Sequence, residues 1–113
     1  MLFRSLIVHA AYWKYAAWRR LSGGARGAFP LAGSNFFGRE GQPSAAALRE
    51  DIALLDRMHR ALRAAIAAVP PARLRKPLPG SALTHVALIS GIAAHDLYHA
   101  GQIQLMKKLR VTN

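Results

Sequence analysis

What most constrains this chain is the spacing of its apolar residues, which recur at intervals of three and four through three long stretches. That is the period of a helix with one buried face. In the first stretch, residues 2 to about 21, Leu2, Leu6, His9, Trp13 and Ala16 fall on one side. Arg4, Lys14 and Tyr15 lie on other sides, and Trp13 reads as core. Ser22, Gly23 and Gly24 end the helix. The second begins after Ser44, a good N-cap, and runs to about Ala68. Its stripe is Leu48, Ile52, Leu55, His59, Leu62 and Ile66, with Glu50, Arg57, Arg60 and Arg63 off it. Val69-Pro70-Pro71 stops it, because proline lacks the N–H of the helical ladder and disfavours a helical residue before it. The third starts near Ser81 or Thr84 and continues to about Leu109, with Leu88, Ile92, His95, His99, Ile103 and Met106 in one stripe. The expected class is all-α.

Between the first two helices, residues 23–43 hold six glycines, Pro30, Pro43 and the aromatics Phe29, Phe36 and Phe37. A loop of this length is usually functional, and three phenylalanines call for a surface to pack on, so a lid is expected. Arg73 to Gly80 reads as a basic connector. The 113 residues fit one domain, 1–113. A composition that is 52% hydrophobic argues against disorder, yet no apolar run reaches the roughly 18 residues that span a bilayer. The start, MLFRSLIVHAAYW, has a faint signal-peptide look, but His9 and Lys14 interrupt it and no clean cleavage site follows. It reads as a structured helix. The absence of cysteine excludes disulfides, thiolate metal sites and a thiol nucleophile, and leaves the cytoplasm as the default compartment.

The formal charge is +11. Residues 1–39 carry six basic groups and no acidic one, residues 70–113 carry six against Asp96, and the middle is balanced. Spread in this way, the charge makes nucleic acid a second choice of partner rather than the first. Arg19, Arg20, Arg73, Arg75, Lys76, Lys107 and Lys108 would carry such binding.

Chemistry concentrates in HDLYHAGQIQL, residues 95–105. His95 and His99, four apart on a helix, project in one direction about 6 Å apart along the axis and can converge on one transition-metal ion. Two unpartnered imidazoles in an apolar stripe are costly, so either neighbouring groups satisfy them or something binds them. His9, in the middle of an apolar stripe on another helix, tips the balance toward a three-nitrogen site with positions left for water or substrate. His59 could be a fourth ligand, though a core-boundary histidine is the commoner case, and His85 is exposed or cap-related. Asp96 is a candidate catalytic residue: it could orient a ligand or act as a base, the alternative being a solvated surface carboxylate. Tyr12, Tyr98 and Gln102 flank the stripes and could donate hydrogen bonds to a bound cofactor. HDLYH shares the spacing of the HExxH metalloproteases, but Asp replaces Glu and no third ligand follows His99.

VHAAYWKYAAWRRLSG (8–23), FPLAGSNFF (29–37) and GIAAHDLYHAGQIQLMKKL (91–109) resemble the DinB/YfiT-like proteins, a family assigned as metal-dependent four-helix-bundle enzymes. The resemblance implies an all-α, up-down helical bundle. It also implies a divalent metal ion, zinc, nickel, iron or manganese, held by His9, His95 and His99. It suggests a metal-dependent hydrolase or a thiol S-transferase acting on a small-molecule substrate, with a low-molecular-weight thiol as partner. Family members usually carry a further helix before the one bearing the first histidine, whereas here Met1 lies only eight residues ahead of His9. The bundle then has three long helices, from a truncated start or with a second copy completing it, and a homodimer is expected.

Overall fold

The computed structural model describes residues 2–23, 29 and 44–109. The first apolar stretch forms helix α1, Leu2–Ser22. It stops at Gly23, whose φ of 73° lies in the left-handed region that glycine enters without steric cost. Helix α2, Ala45–Ala67, opens on Ser44, whose hydroxyl accepts from the Ala47 N–H at 3.0 Å. Helix α3, His85–Lys108, opens on Thr84, which accepts from the Ala87 N–H at 3.2 Å. Both caps satisfy donors that the helix itself leaves unpaired.

The connector from α2 to α3 is more ordered than its composition suggests. A 3-10 turn at Pro71–Arg73 is followed by a β-turn at 78–81, closed by the Ser81 N–H on the Leu78 carbonyl at 3.1 Å. Pro79 and Gly80 (φ 70°) occupy the two central positions, the pair that a type II turn requires. Leu78 is buried and pins the turn. The Lys76 carbonyl then accepts twice from His85, from its backbone N–H at 3.0 Å and from Nδ1–H at 2.7 Å. His85 is therefore buried and fully engaged at the start of α3, which decides between the two readings left open for it. Among the described residues, no helix is long and apolar enough to cross a membrane.

Cross-helix contacts give the directions. Arg4 meets Asp51, Lys14 meets His59, and Ala17 meets Leu62, so α1 and α2 run parallel. His9 meets His95, Ala17 meets Ile92, and Arg20 meets Ser81, so α3 runs antiparallel to both. The all-α bundle is as expected. Within it, up-down alternation holds between α2 and α3, whereas α1 and α2 point the same way. Two parallel neighbours need a connection as long as the helices themselves, roughly 35 Å for the 23 residues of α2. That topology is one reason for the long segment between Gly23 and Ser44. The lid expected over 23–43 lies outside the described residues, apart from Phe29, whose ring packs on Tyr12 and Tyr15 at 5.4 and 5.6 Å between centroids.

Helix α1 is the middle element, with α2 on one flank and α3 on the other. Ala17, Leu62 and Ile92, one from each helix, form a shared core that Trp18, Leu21, Ile66 and Leu88 extend. This overturns the one-sided reading of α1. Arg4, Lys14 and Tyr15, expected on its outer sides, are all buried, while Trp13, expected in the core, is 40% exposed. A helix covered on two flanks has no polar back, and its cations bury by meeting carboxylates from the neighbours. The α2 stripe is also turned by about one residue. Asp51 and Leu54 face inward beside the expected Leu62, whereas Leu48 is exposed and Ile52 and His59 border an open cleft.

Candidate metal centre

His9 comes from the middle of α1, and His95 and His99 come from successive turns of α3 where that helix crosses α1. His9 and His99 are buried and His95 half-buried. The three ring nitrogens converge: His9 Nε2 lies 3.1 Å from His95 Nε2, which lies 3.0 Å from His99 Nε2. These three side chains form a group whose ligand atoms all lie within 4.8 Å of one another. Nitrogens bound tetrahedrally to one ion at about 2.0–2.1 Å sit about 3.3 Å apart, so the spacing is close to that of a shared cation.

The hydrogen-bond inventory points the same way. A neutral imidazole nitrogen offers one hydrogen or one lone pair, so His95 Nε2 cannot bond to both neighbours at once. The Gln102 Oε1 contacts His99 Nδ1 and can only accept, which places the hydrogen on Nδ1 and the lone pair on Nε2, facing the other rings. His95 Nδ1 is buried without a hydrogen-bond partner among the described residues. Burial pushes the His95 pKa below the usual imidazole value, and the His99 and His9 rings add to that shift, against a weaker opposing pull from Asp96. A crowded set of three imidazole nitrogens fits a divalent ion of intermediate softness, the kind that imidazole favours.

Asp96, one residue past His95, is held by an ion pair with Lys14, and its Oδ1 is buried without a hydrogen-bond partner among the described residues. Lys14 Nζ also lies 3.1 Å from His59 Nδ1. That contact occupies His59 away from the triad. Of the residues expected to contact a cofactor, Gln102 is on His99, while Tyr98 is 61% exposed with its ring 5.4 Å from that of His99. Tyr12 packs edge-on against Trp13 at 5.9 Å. Lys14 is the participant that sequence reasoning missed. The available signal was a lysine with no acidic residue on its own helix, which required a carboxylate from elsewhere.

Two clefts meet at the triad. One, of about 490 Å³, runs between α1 and α3 from His9 and His95 past Trp13 and Ile92. The other, of about 410 Å³, lies between α2 and α3 and carries His99 with Lys14, His59, Asp56 and Asp96. Both are walled chiefly by apolar surface, and the second also carries the charged side chains of Lys14, Asp56 and Asp96.

A family model described as the DinB superfamily matches residues 3–103. No curated protein and no solved structure matches the chain. The matched span contains α1, α2 and most of α3, with all three converging histidines, and the chain belongs to the DinB superfamily.

Proposed function

We propose that this protein is a divalent-metal-dependent enzyme whose ion is held by Nε2 of His9, His95 and His99. The convergence of three imidazole nitrogens within 4.8 Å, with no carboxylate among them, is the observation that carries this reading. Three ligands leave coordination positions open, as catalytic sites require. The ion, when bound, lowers the pKa of a water or thiol and supplies a nucleophile near neutral pH. The chain's own groups do the rest. Gln102 fixes the tautomer and orientation of the His99 ring. Lys14 holds the Asp96 carboxylate through Oδ2 and leaves Oδ1 as a proton acceptor beside the site. The apolar cleft walls, with the Tyr98 ring beside that of His99, border the position that a small-molecule substrate would occupy.

The reaction class is hydrolysis or S-transfer with a low-molecular-weight thiol, and the ion is zinc, nickel, iron or manganese. Elemental analysis of protein purified without an affinity tag or chelator should give close to one divalent ion per chain. His95→Ala and His99→Ala should each lose it. A metal-free native protein, or full retention in His99→Ala, would sink the proposal. A homodimer in the cytoplasm belongs to the same reading, supported by the exposed Leu97, Tyr98 and Leu105 on α3. A monomeric mass by light scattering at micromolar concentration would count against the dimer.

A second reading, a basic module for nucleic acid, draws on one placement. Arg19 and Arg20 end α1, and Arg73, Arg75 and Lys76 lie in the connector beside it, so five cations share one end of the bundle. Such binding should weaken steeply with salt. DNA and RNA binding that is absent near physiological ionic strength would remove this reading.

A further inference from the structure

We infer that the cleft between α1 and α3 binds an elongated apolar molecule that places its reacting end at the histidine triad and an anionic group at Arg20. This deepens the metal-dependent reading, on which one end of the cleft rests. The cleft follows two matching lines of residues. On α1, His9, Trp13, Ala16 and Arg20 succeed one another at helical intervals; on α3, His95, Gly91 and Ala87 run the other way. His9 and Arg20 are separated by eleven residues of continuous helix, about 16 Å along the axis.

The middle of this path is apolar and shallow-sided. Ala16, Ala87 and Gly91 keep it open, and a Cβ built at Gly91 would meet nothing within 4 Å. Trp13, 40% exposed, walls it near the triad, with its ring 5.9 Å from that of His95. Such a surface takes hydrocarbon and offers nothing to a polar chain. At the far end, Arg20 Nη2 donates to Ser81 Oγ at 3.3 Å, and the same oxygen accepts from the Leu83 N–H at 3.0 Å. Leu83 lines the cleft, so this bond ties the guanidinium to its mouth. Among the described residues that line the cleft, none is acidic and Arg20 carries the one permanent charge. A guanidinium suits a carboxylate, which it can bind through two parallel hydrogen bonds. The occupant is therefore an amphiphile with a carboxylate at one end and a metal-seeking atom at the other.

The probe is 11-mercaptoundecanoate, whose extended chain is about as long as the path from the triad to Arg20. Cobalt(II)-loaded protein should develop a sulfur-to-cobalt charge-transfer band on titration. Binding should be at least tenfold tighter than for 3-mercaptopropionate, which is too short, or for 11-mercapto-1-undecanol, which has no charge. Arg20→Gln should erase the advantage over the alcohol. Gly91→Phe should erase the advantage over the short thiol while leaving the short thiol's band in place. Replacing glycine inside a helix does not threaten folding.

Equal affinity for the three thiols overturns the inference, as does unchanged affinity in both variants. A cleft filled by a second copy would also overturn it, and would show as a dimer that Gly91→Phe dissociates and that binds long and short thiols alike. Dodecanoate binding measured by calorimetry, with the same two variants, reads the cleft without the ion. If the protein takes up no cobalt yet binds dodecanoate through Arg20 and Gly91, the metal reading fails and the cleft stands. Cobalt uptake without any preference for length or charge has the opposite meaning.

Discussion

Helix α1 carries two kinds of buried polar group, and they differ in whether they are complete. Near its start, Arg4 Nε meets Asp51 Oδ2 at 2.9 Å, with side chains only 7% and 2% exposed. Five residues past His9, Lys14 meets Asp96 and His59. Each of these cations has its carboxylate, so the pairing is closed and neutral. The histidine triad between them is built differently. It gathers three rings whose ligand atoms converge and gives His95 Nε2 two claimants. A closed pair holds helices together; three converging ring nitrogens have the spacing to share a cation. The two arrangements lie within three turns of one helix, so burial alone does not separate structural from functional polar groups.

Breaking each arrangement should give opposite signatures. The largest effect is expected from His99→Gln, which should lower divalent-metal affinity more than a hundredfold in a competition titration. In the metal-free protein the same change should leave the thermal midpoint unchanged or higher, because it relieves ring crowding. A marked drop in that midpoint would place the triad with the structural pairs. Next is Asp51→Ala, which leaves the Arg4 guanidinium buried without its carboxylate and should cost about 3–5 kcal/mol in denaturant unfolding. Metal stoichiometry should survive in the folded fraction, and its loss there would mean the pair serves the centre as well.

A smaller effect belongs to Gln102→Leu. Without the acceptor on His99 Nδ1, metal affinity should fall about 10–100-fold, with little change in unfolding free energy. Unchanged affinity would show that Gln102 does not orient the ring. The smallest change is expected at the exposed pair of Arg60 and Asp56, 2.9 Å apart on one face of α2. Asp56→Ala should shift stability by no more than about 0.5 kcal/mol, since solvent screens such a pair. A larger shift would assign Asp56 a part in the cleft between α2 and α3.

Much of this was legible before any coordinates. Ser44 caps its helix, Pro70 and Pro71 follow one, and the α3 line from Leu88 through Ile92 to His99 faces inward as its period requires. The triad itself could be named because each histidine interrupts an apolar stripe, and a stripe has one direction on a helix. The failures share a cause. Periodicity places Arg4, Lys14 and Tyr15 off the apolar side of α1, because hydrophobicity ranks residues and cannot count neighbours. A helix with partners on both flanks buries its charges too, provided that other helices bring the counter-charges.

The amino-acid sequence by itself determined the three helices, their stops, and the register that sets His95 over His99, since all of these depend on local backbone preferences and a period of 3.6 residues. Packing across the bundle makes α1 central, sets α2 parallel to it, brings Asp51 and Asp96 to its cations and joins the triad to Arg20 by a cleft. Those features depend on which faces meet across tens of residues of chain, and no local preference records that choice.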